Sequence, residues 1–209
     1  VVDGTNMNKF ASGLNRRTFL ASSLAMGALS THAAYSLTAE EFVLNKAFLP
    51  KHVRMRADLP AGEMHVDPNT FKLYFTLGNK RAIRYSVGVG RPGLYESGTF
   101  TVGAKREWPR WTPTPAMIKR DPGSYARHKD GMPGGPNNPL GARAMYLHDA
   151  NGRDTMLRIH GTAQPWTIGS AVSNGCARLT NEHVVELYDQ VMIGAKVVLY
   201  EVTGKQVVI

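Results

Sequence analysis

The part of the chain that decides the fold and its chemistry runs Ala171-Val172-Ser173-Asn174-Gly175-Cys176-Ala177-Arg178-Leu179-Thr180, and it follows Arg158-Ile159-His160-Gly161-Thr162. Cys176 is the single cysteine of the chain and lies sixteen residues after His160. A cysteine reacts as its thiolate, so it needs a base or a positively charged setting within hydrogen-bond reach. His160 is the obvious base, because the intervening chain contains glycines and a proline that let it turn back.

The Asn174-Gly175 pair allows a tight turn directly before the cysteine. Such a turn aims successive backbone N–H groups at a developing oxyanion, and one well-placed donor contributes about 3–4 kcal/mol to acyl transfer. The alternative is a structural cysteine, since a lone cysteine in a globular protein is more often a small buried core residue. The residues alone favour a nucleophile and leave this alternative open.

Short apolar runs surround this segment. Apolar and polar residues alternate in 71–77 and in 81–87, on either side of Gly78-Asn79. Similar runs follow at 99–102, 144–147, 156–160 and 196–202. This pattern predicts antiparallel hairpins. After the cysteine, Thr180 or Asn181 can cap a short helix whose buried face carries Val184, Leu187, Tyr188 and Val191. We therefore expect one mainly β domain, a β-sandwich or partly open barrel of antiparallel strands with a short helix after the nucleophile.

A long Pro/Gly loop interrupts the strands at residues 105–141. It holds seven of the twelve prolines and two tryptophans, Trp108 and Trp111. A loop of this length without secondary structure is usually functional, and often a lid. The tryptophans either pin the loop by packing or contact substrate, and both roles are compatible.

The N-terminus predicts an export signal over residues 1–33. Arg16-Arg17-Thr18-Phe19-Leu20 precedes a weakly apolar stretch, and Thr31-His32-Ala33 offers small residues for cleavage. Paired arginines at this place resemble a twin-arginine signal, which predicts an exported, periplasmic protein. The apolar stretch contains serine, glycine and alanine, so no stable membrane span is expected after cleavage, and an uncleaved anchor is the open alternative. We expect residues 34–61 to form an N-terminal extension and residues 62–204 to form the domain that contains His160 and Cys176.

Charge and composition exclude several classes of protein. With 43% hydrophobic and 20% charged residues, the chain is neither a disordered tail nor a multi-span membrane protein. The net charge of +9 invites a nucleic-acid interpretation, but removal of residues 1–33 leaves +7, spread without any run of five like charges. We expect no nucleic-acid partner. His148, Asp149 and Asp154 are interpreted as a solvated turn, so no metal site is predicted.

The wider pattern resembles the catalytic domains of L,D-transpeptidases. The resemblance rests on His160-Gly161, the sixteen-residue step, the segment from Ser173 to Arg178 and the helix that follows. Tyr85-Ser86-Val87-Gly88-Val89-Gly90 and Ser97-Gly98-Thr99-Phe100 add to it, so that it covers residues 62–202. Many members carry His where this chain has Asn174 and Asn where it has Arg178, so His160 must act here without a second histidine.

The resemblance implies a role for each site residue. Cys176 would attack a peptidoglycan tetrapeptide stem and release D-alanine, His160 would move the proton, and the Gly161 carbonyl would orient the imidazole. It implies an oxyanion hole from the backbone N–H groups of Asn174, Gly175 and Cys176, and no cofactor. Substrate-binding residues are expected at Arg178, Ser173, Trp166 and Trp111.

The resemblance leaves the acceptor open. It is an amine of a second stem, giving a 3–3 cross-link, an amine of a protein, or water. A carboxypeptidase or endopeptidase that uses the same cysteine and a non-catalytic wall-binding module remain the alternative functions.

Overall fold

The computed structural model describes residues 42–207. In this range the strands are β1 Lys51–Arg54, β2 Met64–Asp67, β3 Lys72–Gly78, β4 Arg81–Ser86, β5 Val89–Gly90, β6 Gly98–Glu107, β7 Arg143–His148, β8 Asp154–His160, β9 Ala171–Ser173, β10 Ala177–Arg178 and β11 Lys196–Leu199. The α-helices are α1 Pro115–Arg120, α2 Pro122–Tyr125 and α3 Asn181–Gln190. The predicted signal at 1–33 lies outside the described residues.

Nine strands form one open sheet in the order β1-β4-β3-β2-β11-β6-β7-β8-β10, and β5 pairs with β9 beside it. The prediction of a mainly β fold is confirmed, and the described strands do not close into a barrel. The sheet is mixed rather than purely antiparallel, because β11 runs parallel to β2 and β10 runs parallel to β8. Parallel neighbours need a crossover of a dozen or more residues, which hairpin signals do not reveal.

Helix α3 covers one face of the sheet as its sequence pattern predicts. The Thr180 side chain accepts a hydrogen bond from the His183 N–H at 3.3 Å and caps the first turn. Val184 and Leu187 are fully buried, and Val191 is buried just after the helix ends. Burial of one leucine side chain of this kind stabilises a fold by about 1.5–3 kcal/mol. The helix therefore anchors the chain that leaves β10, and with it the turn that carries Cys176.

The Pro/Gly loop is not structureless, in contrast to the expectation from its composition. It contains α1, α2 and a 3-10 turn at Ala126–His128. Prolines start both helices, where the missing N–H costs nothing, and the side chains of Thr114 and Asp121 cap them at 3.2 and 3.1 Å. The same prolines that predict a loop thus also initiate short helices.

The N-terminal extension contributes to the sheet. Strand β1 lies within residues 34–61 and pairs antiparallel with β4, from Lys51 opposite Arg84 to Arg54 opposite Arg81. Between residues 42 and 207, no helix combines the length and apolar character needed to cross a membrane.

Candidate active site

Strands β8 and β10 bring the sequence-predicted histidine and cysteine together. In their parallel register, Arg178 lies opposite His160 and Ala177 opposite Ile159. Side chains alternate along a strand, so Arg178 and His160 project from the same face, and Cys176, two residues before Arg178, projects with them. All three line one cleft of about 860 Å³. This volume falls in the range of small-molecule sites.

His160 is buried at the floor of the cleft and held in one orientation. Its Nδ1 donates to the Gly161 carbonyl oxygen at 2.5 Å, which requires the proton on Nδ1 and leaves the Nε2 lone pair free. Burial, followed by the charge of the Arg178 guanidinium, lowers the pKa of His160 to about 3. The imidazole is therefore neutral at neutral pH.

Gly161 is fixed by its neighbours as well as by the histidine. Its N–H donates to the Arg143 carbonyl oxygen at 3.0 Å. A Cβ at this position would collide with Oδ1 of Asn181 in the first turn of α3. The carbonyl that orients His160 is thus held between β7 and α3, and only glycine fits there.

The turn before Cys176 is braced by a buried serine. Ser173 Oγ donates to the Cys176 carbonyl oxygen at 2.6 Å and accepts from the Gly175 N–H at 3.2 Å. Gly175 has φ +122°, and a Cβ there would lie 2.9 Å from the Leu94 carbonyl oxygen. Ser173 therefore acts within the turn, and the Gly175 N–H, one of the three predicted oxyanion donors, already has a partner.

The Cys176 side chain is partly exposed to the cleft. Its Sγ lies 4.0 Å from the Met156 carbonyl oxygen. Burial raises the pKa of the Cys176 thiol, while the backbone N–H of Arg158 and the guanidinium groups of Arg158 and Arg178 act in the opposite direction. The raised thiol pKa and the lowered imidazole pKa together favour a neutral Cys-His pair at rest.

Arg158 is a site residue that the sequence analysis missed. Its guanidinium is buried, binds Asp154 with two hydrogen bonds of 2.6 and 2.8 Å, and lies 4.0 Å above the ring of Tyr146. Between these partners β8 bulges, and Met156 adopts φ +64°. No local sequence signal marks this bulge, because a regular strand keeps residues four apart out of contact.

Asn174 connects the nucleophile turn to the Pro/Gly loop, also without a sequence signal. Its Oδ1 accepts from Arg91 Nη2 at 2.8 Å and from Arg120 Nη2 at 2.7 Å, and its Nδ2 donates to Tyr125 Oη at 2.9 Å. Arg120 and Tyr125 belong to α1 and α2. The Asn174 amide thus connects the nucleophile turn to α1 and α2 of the loop.

The remaining predicted substrate-binding residues occupy different places. Arg178 lines the cleft and donates weakly to Thr167 Oγ1 at 3.4 Å. Trp111 also lines the cleft, and its ring packs against Tyr125 and His128. Trp166 lies outside the cleft lining, 62% exposed, with its ring against Phe42. Trp111 therefore both packs against the loop and lines the cleft, whereas Trp166 packs against Phe42 and does not line the cleft.

The loop at 148–154 has partners other than a metal. Asp149 pairs with Arg153 and Asp154 pairs with Arg158. Among residues 42–207, no three His, Cys, Asp or Glu side chains are grouped as metal ligands.

The sequence model of the L,D-transpeptidase catalytic domain matches residues 62–199, which include every strand from β2 to β11 and the whole Cys-His site. The chain belongs to the L,D-transpeptidase family. This match confirms the resemblance that the sequence analysis stated, and it confirms the prediction that the protein is an enzyme of this family.

Curated members of the family resemble the chain over most of its described length. The probable L,D-transpeptidase ErfK/SrfK of Escherichia coli is 33% identical over 156 residues, which is 71% of this chain and 45% of that protein. The putative L,D-transpeptidase YqjB of Bacillus subtilis is 36% identical over 136 residues, 64% of this chain and 68% of that one. The chain thus spans just under half of the first relative and about two thirds of the second.

One solved structure is similar to this L,D-transpeptidase family member. It is the crystal structure of a Brucella melitensis protein described as a probable carnitine operon oxidoreductase, whose sequence is 49% identical to this chain. The match covers 77% of this chain and 95% of that one with a TM-score of 0.52. The name of that protein differs from the family name that the domain match and the curated relatives share.

Proposed function

We propose that the protein is a peptidoglycan L,D-transpeptidase that works through a Cys176 thioester. The observation that carries the proposal is the shared cleft of Cys176 and His160, with His160 Nδ1 bound to the Gly161 carbonyl so that Nε2 is the free base. A neutral imidazole in a fixed tautomer beside a thiol is the arrangement that a cysteine acyltransferase needs. The Gly161 carbonyl takes the orienting role that a carboxylate fills in other triads.

In the first half-reaction, Sγ of Cys176 attacks the carbonyl carbon of the diamino acid at the third position of a tetrapeptide stem. The thiol proton passes to Nε2 of His160. Because burial lowers the pKa of the imidazole and raises that of the thiol, the pair is neutral at rest and this proton transfer belongs to the acylation half-reaction. The C–N bond to D-alanine then breaks, and the imidazolium returns its proton to the leaving amine.

In the second half-reaction, an acceptor amine attacks the thioester carbonyl. His160 takes a proton from the amine and returns it to the departing thiol, which regenerates Cys176. An amine of a second stem gives a 3–3 cross-link, and an amine of a protein attaches that protein to the wall. Backbone N–H groups of Asn174, Gly175 and Cys176 stabilise the oxyanion in both steps. For Gly175 this requires its N–H to leave the Ser173 hydroxyl.

Two features support Arg178 as a substrate-binding residue. It lines the cleft, and its buried Nε atom has no hydrogen-bond partner within residues 42–207. A guanidinium with free donors binds a carboxylate well. Trp111 contributes an aromatic wall, and Ser173 supports binding indirectly through the turn.

The compartment and the domain limits complete the proposal. Peptidoglycan lies outside the cytoplasm, and the paired arginines near the N-terminus supply an export route, so we infer a periplasmic enzyme exported by the twin-arginine pathway. Cleavage near residue 33 would leave the extension 34–61 and the catalytic domain 62–204.

The test is incubation of the purified chain with tetrapeptide-bearing muropeptides, followed by mass spectrometry of the products. Loss of D-alanine with formation of a dimer supports transpeptidation, whereas loss of D-alanine with only water added indicates a carboxypeptidase. No product together with a Cys176 that stays unmodified by a carbapenem refutes both enzymatic functions.

A further inference from the structure

Positive charge surrounds the neutral side chain of Asn174. Two guanidinium groups, from Arg91 and Arg120, donate to the same amide oxygen, Oδ1. Two cations therefore converge on one neutral acceptor. Arg178 is a third cation that lines the same cleft as Arg120, Tyr125 and Asn174. A carboxylate carries a full negative charge and an amide oxygen does not, so two guanidinium groups attract an anion at this place more strongly than they attract an amide.

Within residues 42–207, no ion pair balances these cations. Arg91, Arg120 and Arg178 have no carboxylate within 4.0 Å among residues 42–207. The buried Nε atoms of Arg91 and Arg178 donate to no described residue. Burial lowers the pKa of Arg178, which reflects a cation that is desolvated without compensation.

Two acidic residues are near this end of the cleft, and neither reaches the arginines. Glu96 lines the cleft. The pKa of Asp121 is lowered by hydrogen bonds from Ser124 and, to a smaller extent, by Arg91 and Arg120. Both carboxylates lie beyond ion-pair distance from the three arginines. Within residues 42–207, the cleft therefore contains positive charge without an ion-pair partner, close to Asn174 and Arg178, which each lie two positions from Cys176 in the sequence.

We propose that Arg120 and Arg178 bind a carboxylate of the peptide substrate, and that Asn174 Oδ1 occupies the place of one carboxylate oxygen until the peptide arrives. Arg120 and Arg178 line the cleft, and Arg91 does not, so Arg91 keeps its bond to Asn174 while Arg120 exchanges partners. The inference rests on the function proposed above and adds a specificity-determining residue, Arg120. It selects peptides with a free carboxylate over the corresponding amides.

The test measures binding without turnover. The Cys176→Ala chain is titrated calorimetrically with the tetrapeptide stem and with the same peptide carrying a C-terminal amide. We expect the acid to bind about tenfold more tightly than the amide, the effect of one charge-assisted hydrogen-bonded contact. Adding Arg120→Ala should reduce this ratio to below about threefold. Lys119→Ala is the matched control, because Lys119 is its exposed neighbour in α1 and does not line the cleft.

A second pair of titrations identifies the source of the carboxylate. Nα-acetyl-lysine and its α-carboxamide carry a side-chain amine and mimic the acceptor. An Arg120-dependent preference for the acid within the tetrapeptide pair assigns the site to the donor, and a preference within the lysine pair assigns it to the acceptor. If neither pair shows a preference that Arg120→Ala removes, the inference is wrong.

Asn174→Asp provides the converse variant, since it places a permanent carboxylate where the substrate anion is proposed to bind. We expect it to raise Tm and to abolish the acid-over-amide preference, and a preserved preference overturns the proposal. The outcome is distinct from that of the proposed function. Turnover of muropeptides with an unchanged preference in Arg120→Ala refutes only this inference, and an Arg120-dependent preference without turnover refutes only the proposed function.

Discussion

Replacement of Ser173 by alanine tests how the nucleophile turn is held. The hydroxyl is buried and makes two hydrogen bonds, to the Cys176 carbonyl at 2.6 Å and from the Gly175 N–H at 3.2 Å. Alanine removes both and leaves a buried carbonyl without its partner. Each such bond contributes about 0.5–1.5 kcal/mol net, so the free energy of unfolding should fall by roughly 1–3 kcal/mol. In a domain of this size that lowers Tm by roughly 2–12 °C.

The catalytic effect of Ser173→Ala follows from the same bonds. The bond from Ser173 to the Cys176 carbonyl holds the turn that aims its N–H groups at the oxyanion, so its loss raises the activation barrier, whereas loss of the bond from the Gly175 N–H does not. We expect acylation of Cys176 by a carbapenem to slow by about tenfold to hundredfold, since each 1.36 kcal/mol is tenfold in rate. Stopped-flow measurement of the acylation rate at saturating carbapenem gives this number directly.

Ser170→Ala is the matched control for Ser173→Ala. Ser170 lies in the same connection, and its Oγ donates one hydrogen bond, to the Thr167 carbonyl at 2.7 Å. We expect a smaller loss of stability and an acylation rate within about twofold of wild type. Equal acylation rates for the Ser173 and Ser170 variants would refute the role of Ser173 in positioning the turn.

Three further predictions concern the same site. Gly175 has φ +122°, and Gly175→Ala places a Cβ 2.9 Å from a backbone carbonyl oxygen. This variant should therefore lose far more acylation rate and stability than Gly152→Ala, where φ is +76° and the space is open. Similar losses in both variants would show that the clash is unimportant. Because burial raises the pKa of the Cys176 thiol, the thiolate absorbance at 240 nm should appear above the pH at which an ordinary cysteine titrates, and an onset below it would mean a resting ion pair. The pKa of His160 is about 3 in the folded chain against an ordinary 6.5, so the unfolded chain binds more protons between these two pH values. The free energy of unfolding should therefore fall as the pH drops from 6.5 towards 3, and its slope against pH should be shallower in His160→Gln. Identical slopes in the two chains would remove His160 from this effect.

The sequence predicts the parts of the fold that local patterns control. Alternating residues at 71–77 and 81–87 identify β3 and β4, and the capped amphipathic run after Thr180 identifies α3. The pairing of β2 with β11 joins opposite ends of the domain, and no local pattern encodes such a distant parallel neighbour. The helices of the Pro/Gly loop were also missed, because proline signals a loop and a helix start alike.

The candidate site also combines features that local sequence patterns reveal with features that depend on contacts between distant segments. The pair of His160 and Cys176 could be named from the sequence, because a lone cysteine after an Asn-Gly turn and downstream of a histidine indicates a nucleophile with its base. The parallel pairing of β8 and β10 that joins them was not predicted. The contacts of Asn174 with Arg91 and Arg120 join three separate segments, and they follow only from the folded chain. The contact between Arg158 and Asp154 depends on a bulge, since residues four apart in a regular strand lie about 13 Å apart.

The central claim is that Cys176 forms a thioester with the peptide stem. The most direct test is to mix the chain with a tetrapeptide stem, quench in acid within one turnover, and measure the mass of the intact protein and of the peptide that contains Cys176. The account predicts an added mass equal to the stem without its D-alanine, located on Cys176, and no adduct in Cys176→Ala. Release of D-alanine without such an adduct, or an adduct on another residue, would contradict it.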